Sequence, residues 1–168
     1  MPITLVDIWR NIAPAPMVLS IVTFTSLFSG GFKNVPTCSK LTCILNDNIV
    51  ACRYGIAIGI MACLICVLFL LLEVLGLAIC CDLMQKIILI SDIICCVLCT
   101  ILWFFGFCFM THQWSITTRY IYLMGSESAI TSITASFFST LCWALLSVLA
   151  IVRFRSTKTT PEDTVTAS

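Results

Sequence analysis

The sequence predicts an all-α membrane protein in which four transmembrane helices form one bundle. The chain has 168 residues, of which 60% are hydrophobic and 10% are charged, whereas about a quarter of the residues in soluble domains are charged. It contains four apolar runs of about 20 residues, the length that an α-helix needs to cross the hydrocarbon core of a bilayer. Because backbone groups inside lipid must bond to one another, these runs are expected to be helices. They comprise residues 12–32, 54–72, 87–110 and 129–152.

The first span follows a short N-terminal tail, residues 1–11, and begins with two prolines, where missing N–H donors cost little. This tail lacks the basic segment and apolar core of a cleaved signal peptide, so the first span is expected to remain as an anchor. A loop at residues 33–53 leads to the second span, which is expected to reach residue 80. The short connection at residues 82–86 then predicts a tight antiparallel hairpin of the second and third spans.

A second long loop, residues 111–128, joins the third and fourth spans, so that the four-span domain covers residues 12–152. The remaining segment, residues 153–168, is rich in threonine and is predicted to be a disordered tail. An even number of spans places both termini on one side of the membrane. Basic residues directly after the fourth span favour the cytosol as that side. These residues are Arg153, Arg155 and Lys158.

The twelve cysteines fall into groups according to their position along the chain. Cys38, Cys43 and Cys52 lie in the first long loop, and their odd number leaves one without a partner if two of them pair. Cys80 and Cys81 lie at the end of the second span, where neighbouring thiols at a membrane boundary are candidates for palmitoylation. The others lie inside the spans, where a thiol behaves mainly as a small hydrophobic group. They are Cys63, Cys66, Cys95, Cys96, Cys99, Cys108 and Cys142.

Two of these cysteine pairs have the Cys-x-x-Cys spacing of thiol oxidoreductases, at residues 63–66 and 96–99. A reactive thiolate needs a cationic neighbour or a helix N-terminus together with access to solvent. Both pairs lie within apolar helix among valine, leucine and isoleucine, so packing is the favoured role and membrane thiol oxidation the alternative.

Small residues at helical spacing indicate where the spans contact one another. Gly55 and Gly59 are four residues apart in the second span, and the fourth span carries a stripe of small residues with the same spacing. Such residues let helix backbones approach closely in lipid, where little hydrophobic force drives helices together. The hydroxyl groups of the stripe are also expected to form interhelical hydrogen bonds. Packing within the bundle is the favoured role of the stripe, and self-association is the alternative. The stripe consists of Ser128, Ser132, Ser136, Thr140 and Ala144, and the hydrogen bonds are expected from Ser132, Ser136 and Thr140.

Two acidic residues, Glu73 and Asp92, lie at similar predicted depth on either side of the turn between the second and third spans. Intramembrane carboxylates are costly and commonly functional, so a small ion channel or proton-coupled transporter is a rival function. The simpler interpretation is a structural role in which an acid pairs with Lys86 or Arg153.

The sequence offers little for catalysis or for cofactor binding. The sequence contains a single histidine, His112, which cannot supply the two axial ligands of a bis-histidine haem. No set of His, Asp and Glu residues has the spacing of metal ligands. We therefore expect no catalytic residue, no metal and no cofactor. The net charge of +1 gives no reason to expect nucleic acid as a partner. A claudin-like junction protein is disfavoured because its first extracellular loop should have about twice this length and contain a tryptophan.

Several stretches resemble the synaptogyrin family, in order and with similar spacing, from about residue 32 to residue 154. The most specific is the aromatic block WFFGFCFM, which resembles that family's third span. The stretches are CILNDNIVACRYG at residues 43–55, SDI at 91–93, WFFGFCFM at 103–110, QW at 113–114, AI at 129–130, FFS at 137–139 and WA at 143–144.

The resemblance implies a MARVEL-like bundle with both termini cytosolic, resident in synaptic-like or other cytoplasmic vesicles. It implies a non-enzymatic role in vesicle biogenesis, membrane trafficking and regulated exocytosis. The partners would be the lipid bilayer, other vesicle membrane proteins and a second copy of the chain. Cys43 and Cys52 would form the lumenal disulfide, with Cys38 as an extra cysteine. The C-terminal tail is shorter than that family's and has no tyrosine, which indicates a divergent member.

Overall fold

The computed structural model describes residues 5–35, 40–75, 82–117 and 126–159. The spanning helices follow one another along the chain as the sequence predicts, and a two-stranded β-hairpin lies between the first and the second of them. The elements are α1 (Leu5–Ile12), α2 (Pro14–Gly30), β1 (Phe32–Val35), β2 (Lys40–Cys43), α3 (Ile49–Val74), α4 (Asp82–Ser115) and α5 (Ser126–Thr159).

Four helices in the described part of the chain are long and apolar enough to span a membrane, and each overlaps one of the predicted runs. In the bundle α2 lies between α3 and α5, and α4 packs against α5 and α3, which closes the ring. The large apolar side chains on the outer faces, such as Phe28, Leu64 and Phe105, are exposed in the protein alone and therefore face hydrocarbon in a bilayer. The spans are Arg10–Gly30, Ile49–Leu72, Leu83–Ser115 and Ser126–Ser156.

The ends of the helices differ from the predicted boundaries in both directions. Helix α2 ends at Gly30, before the predicted residue 32, and α3 ends at Val74, before the predicted residue 80. Helices α4 and α5 instead extend beyond their apolar runs.

The predicted N-terminal tail contains α1, and α2 starts separately at Pro14, which occupies the first helical position. Residues 82–86, predicted to be the connection between the second and third spans, form the first turns of α4. The structure corrects this point, because α4 begins at Asp82 and not at residue 87.

The fourth helix is also longer than its apolar run. It continues through residues 153–159, where the sequence predicts the beginning of a disordered tail. Arginine and lysine are good helix formers, and Pro161 is the first residue that would stop the helix. Residues 160–168 of the predicted tail lie outside the described part of the chain.

The first long loop contains a β-hairpin that the sequence analysis did not predict. Strands β1 and β2 are antiparallel, with Phe32 opposite Cys43 at one end and Val35 opposite Lys40 at the other. The loop tip between them, which contains Cys38, lies outside the described residues. The hairpin therefore starts directly where α2 ends and returns the chain to the start of α3.

The two predicted glycines of α3 lie where α3 meets α2. A Cβ atom at Gly59 would stand 2.9 Å from the Phe24 Cβ and 3.1 Å from the Ser20 carbonyl oxygen. A Cβ atom at Gly55 would overlap the Leu27 side chain and lie 3.2 Å from the Met110 sulfur. The spacing of four residues thus places both glycines on one face of α3, and α2 approaches that face to backbone distance.

We expect Gly59→Ala to destabilise the protein by about 1–3 kcal/mol, because backbone atoms of α2 cannot give way to the new methyl group. The matched control is Gly106→Ala in α4, where a Cβ atom would meet only side-chain carbons, of Tyr54 at 3.1 Å and Ile58 at 3.4 Å. Unfolding of the purified variants in mixed micelles by a denaturing detergent measures the difference. Equal stability of the two variants would contradict a close contact between Gly59 and the backbone of α2.

Candidate functional site

The end of the bundle opposite the chain termini is closed by a disulfide-bonded cap, which consists of β1, β2 and residues 44–48. Cys43 at the end of β2 is joined by a disulfide to Cys52 in the first turn of α3, with Cα atoms 6.1 Å apart. Both residues are fully buried. This is the pair that the resemblance implies, and it fixes the hairpin to the start of α3.

The chain between the two cysteines makes a compact turn. The amide of Asp47 donates to the Cys43 carbonyl at 3.0 Å, and the amide of Asn48 donates to the Leu45 carbonyl at 3.0 Å. Asn46 and Asp47 have φ angles of 53° and 56°. Asparagine and aspartate are the non-glycine residues that adopt this left-handed conformation most readily. The Asn48 side-chain oxygen then accepts from the Val50 amide at 3.0 Å and caps α3.

The disulfide cap is packed onto the ends of the spanning helices. Ile44 and Leu45 are fully buried in one cluster with residues from all four helices. The Ile44 amide donates to the Gly31 carbonyl at 2.9 Å, and the Asn46 amide group donates to the Gln113 side-chain oxygen at 3.2 Å. No local pattern in the sequence indicates these anchors, because they join residues far apart in the chain. The helix residues of the cluster include Leu27, Ala51, Met110 and Ala129.

The small-residue stripe of α5 faces the inside of the bundle, as its spacing predicts. Ser132 and Ser136 are fully buried, and Thr140 and Ala144 are half-buried. A Cβ atom at Gly30 of α2 would overlap the Ser128 side chain, which shows how closely α2 approaches the start of α5.

The structure corrects the expected interhelical hydrogen bonds of this stripe. The hydroxyl of Ser132 donates to the Ala129 carbonyl at 2.9 Å, that of Ser136 to the Ser132 carbonyl at 2.7 Å, and that of Thr140 to the Ser136 carbonyl at 2.9 Å. A helical serine or threonine reaches the carbonyl of the preceding turn of its own helix. These residues therefore contribute close packing, and their hydroxyls are satisfied within α5.

An interhelical polar contact lies elsewhere on α5. The hydroxyl oxygens of Thr100 on α4 and Ser147 on α5 are 3.3 Å apart. Each hydroxyl oxygen also lies 2.8 Å from a carbonyl oxygen of its own helix. Because a hydroxyl has one hydrogen, the hydroxyl that donates across the interface shares that hydrogen with its own helix. Nothing in either helix alone shows that the two residues meet.

Of the two predicted intramembrane acids, the structure describes the side chain of Asp92 alone. Asp92 is 4% exposed, and its carboxylate accepts a hydrogen bond from the Cys96 sulfur at 3.5 Å. Lys86 is exposed, and the structural pairing of Asp92 with Lys86 or Arg153 stays a prediction. The Glu73 side chain lies outside the described residues, so its role stays a prediction.

The cysteines of the two Cys-x-x-Cys pairs lie on spanning helices. Cys66, Cys96 and Cys99 are buried in the same core cluster as Trp103 and Trp143, which agrees with packing as their role. Among the described residues no group of three or more His, Cys, Asp and Glu side chains could hold a metal ion. Cys80 and Cys81, the candidates for palmitoylation, lie outside the described part of the chain.

Comparison with known proteins gives a consistent result. Residues 8–149 match the model of the MARVEL family, described as a membrane-associating domain. The chain is 39% identical to synaptogyrin-2 of Mus musculus over 140 residues, which are 83% of this chain and 62% of that protein. It is 35% identical to synaptogyrin-4 of Homo sapiens over 144 residues, 86% of this chain and 62% of that protein. The chain thus spans less than two thirds of these relatives, and the resemblance to synaptogyrins is confirmed.

We expect the Cys43–Cys52 disulfide to stabilise the protein by about 2–3 kcal/mol, the value that the chain-entropy model gives for so short a loop. The Cys43→Ser/Cys52→Ser double variant should lose this amount in detergent unfolding, and reduction of the wild-type protein should have the same effect. The matched control is Cys142→Ser, which removes a half-buried thiol that forms no disulfide. Peptide mapping that joins Cys38 to either cysteine would overturn the pairing.

We expect Ser136→Leu to force α5 away from its neighbours, because Ser136 is fully buried, and to cost about 1–3 kcal/mol. The variant should be retained in the endoplasmic reticulum. Ile151→Leu and Val148→Leu are the controls, since both side chains are exposed on the outer face of α5 at 37% and 57%. Fluorescence microscopy of tagged variants measures the retained fraction. Normal export of the Ser136→Leu variant together with retention of the Ile151→Leu variant would show that the packing face lies on the opposite side of α5.

Proposed function

The chain belongs to the MARVEL family of membrane-associating domains and is a multi-pass protein of vesicle membranes, and from this premise we propose that it contributes to vesicle biogenesis, membrane trafficking and regulated exocytosis. It does so without catalysis, through helix packing, lipid contacts and association with other membrane proteins. The proteins that it matches are synaptogyrins, and no catalytic family is among the matches described above.

The observation that carries this proposal is the division of the bundle into two kinds of surface. The inner faces combine small residues with buried aromatic and aliphatic side chains, and the backbones of α2 and α3 are in direct contact at Gly59. The outer faces carry large apolar side chains around the whole bundle. Such a protein interacts with its surroundings through lipid-facing helix surfaces, where lipids, other vesicle proteins and a second copy of the chain would be its partners.

The disulfide cap supports the proposed orientation in the membrane. Disulfides persist in oxidising compartments such as the lumen of the secretory pathway and are rare in the cytosol. The close approach of Gly30 to Ser128 makes α2 and α5 antiparallel, so the cap and the chain termini are at opposite ends of the bundle. A lumenal cap therefore requires cytosolic termini, the side that the basic cluster at Arg153 and Arg155 also favours. Palmitoylation at Cys80 and Cys81 would then be on the cytosolic side.

A proton-coupled transporter or small ion channel is the second candidate function, and the burial of Asp92 is the observation that favours it. Proton flux into liposomes that contain the purified protein tests this function directly. Flux that is lost in the Asp92→Asn/Glu73→Gln double variant would support transport, whereas flux no greater than in protein-free liposomes would exclude it.

The proposed vesicle function is tested by removing the protein from a secretory cell and measuring stimulated release of a lumenal cargo. We expect release to fall, and to be restored by the wild-type protein and by Ile151→Leu but not by the packing variant Ser136→Leu. Immuno-electron microscopy of the tagged wild-type protein should locate it on vesicles. Unchanged release after removal, or wild-type protein confined to another membrane, would contradict the proposal.

We expect epitopes at both termini to be digested when protease is added to intact vesicles, because both tails face the cytosol. An epitope inserted at residues 118–125, in the second long loop, is the control and should resist digestion until detergent opens the vesicles. Protection of either terminus would exclude the proposed orientation.

A further inference from the structure

The end of α5 carries an exposed serine beside two arginines. Helix α5 continues past the apolar run, which ends at residue 152, and the sequence RFRS at residues 153–156 leads into its last turn. Ser156 and Arg155 are exposed, and Arg153 is half-buried. The proposed function uses the two arginines only as an indication of orientation and gives Ser156 no role.

Ser156 differs from the other exposed serines in the residue three positions before it. That residue is an arginine, Arg153, for Ser156, and it is neither arginine nor lysine for the others. Serine/threonine kinases of the basophilic class select a hydroxyl with arginine at this distance, because carboxylates in their substrate groove pair with the guanidinium group. The exposed serines in the described part of the chain are Ser29, Ser91, Ser115 and Ser156.

The position of Ser156 is accessible to such an enzyme. Kinases and ATP are in the cytosol, so the inference rests on the cytosolic C-terminus proposed above. A kinase binds its acceptor in an extended conformation, which requires the end of α5 to unwind locally. Helix ends open at low free-energy cost, since the last four carbonyls have no N–H partner within the helix. Residues 153–159 lie beyond the apolar run, so their unwinding leaves the apolar part of α5 helical.

We propose that Ser156 is a phosphorylation site for a basophilic serine/threonine kinase, which recognises Arg153. The kinase transfers the γ-phosphoryl group of ATP to the Ser156 hydroxyl oxygen. A bond forms between this oxygen and the γ-phosphorus, and the bond from the γ-phosphorus to the bridging oxygen breaks. ADP leaves, and the hydroxyl proton passes to the catalytic carboxylate of the kinase.

The phosphate changes the charge at the end of α5. It carries about −1.5 to −2 charges at neutral pH, which nearly cancels the charges of Arg153 and Arg155. The helix dipole disfavours a phosphate near a helix C-terminus, but Arg153 lies one turn earlier on the same face and offsets this effect. Phosphorylation therefore removes the positive charge that the two arginines present to the acidic lipids of the cytosolic leaflet.

The experiment treats the purified full chain in detergent micelles with the catalytic subunit of cAMP-dependent protein kinase and radiolabelled ATP. Both ends of the bundle are accessible in micelles, so the result does not depend on the orientation in a membrane. Mass spectrometry of the peptides locates the phosphate, which we expect at Ser156. Ser156→Ala should abolish the labelling. The matched control Ser91→Ala, which removes another exposed serine of a spanning helix, should leave it unchanged.

A second pair of variants tests the recognition of Arg153. Arg153→Gln should lower the initial rate of labelling by about tenfold or more, because one charge-assisted contact with the kinase is lost. Arg10→Gln, which removes an exposed arginine of α1, is the control and should keep the wild-type rate. If Arg153→Gln does not fold, the position of the phosphate in the wild-type protein still decides the matter.

The same kinase added to intact vesicles separates a failure of the site from a failure of the orientation. We expect Ser156 to be labelled there as well. No phosphate at Ser156 in micelles, phosphate on a threonine of residues 157–160 instead, or an unchanged rate in a folded Arg153→Gln variant would overturn the site and leave the proposed orientation standing. Labelling in micelles but not in intact vesicles would overturn the orientation and, with it, modification by a cytosolic kinase.

Discussion

Inside a bilayer no water is available to bond to backbone N–H and C=O groups, and lipid tails are as apolar as the side chains that face them. The first condition makes each spanning segment a helix, and the second removes most of the force that would drive helices together. What remains is van der Waals contact at short range, which requires small residues wherever two backbones meet. The contacts of Gly59 with the α2 backbone and of Gly30 with Ser128 are the result in this protein. The ring of four helices depends on them.

The same condition explains which parts of the structure could be predicted from the sequence. The spans and their inner faces could be predicted, because an apolar run and a stripe of serines are properties of one segment. The predicted positions of the helix ends were less accurate, since the first turns of α4 and the last turns of α5 consist of polar residues outside the apolar runs. The hairpin of β1 and β2 has four residues in each strand, too few for a recognisable alternation. The disulfide partners came from the family resemblance, because three loop cysteines allow more than one pairing.

The error about the hydroxyl groups of α5 has a physical cause. The prediction assumed that a buried serine in lipid seeks a partner on another helix, but Ser136 finds one in the preceding turn of its own helix at 2.7 Å. A hydrogen bond within the helix requires no additional ordering of the chain, so it can form before another helix packs against α5. The interhelical contact of Thr100 with Ser147, at 3.3 Å, is longer than the internal distances of 2.8 Å with which it shares its hydroxyl hydrogens. The sequence can therefore predict a packing face more securely than the hydrogen bonds made across it.

The two ends of the bundle are stabilised in different ways, and this difference bears on function. At the cap end a disulfide joins β2 to the start of α3. Hydrogen bonds from Ile44 to Gly31 and from Asn46 to Gln113 reach the end of α2 and α4, and buried apolar contacts involve all four helices. At the other end Asp92 is buried and is hydrogen-bonded to Cys96 within α4. A transporter would need this carboxyl group to exchange with water on both sides of the membrane, yet the cap with its buried Ile44 and Leu45 covers one end of the bundle. A buried acid tied to its neighbours in this way fits a structural role, which favours a vesicle protein that acts through its outer helix surfaces.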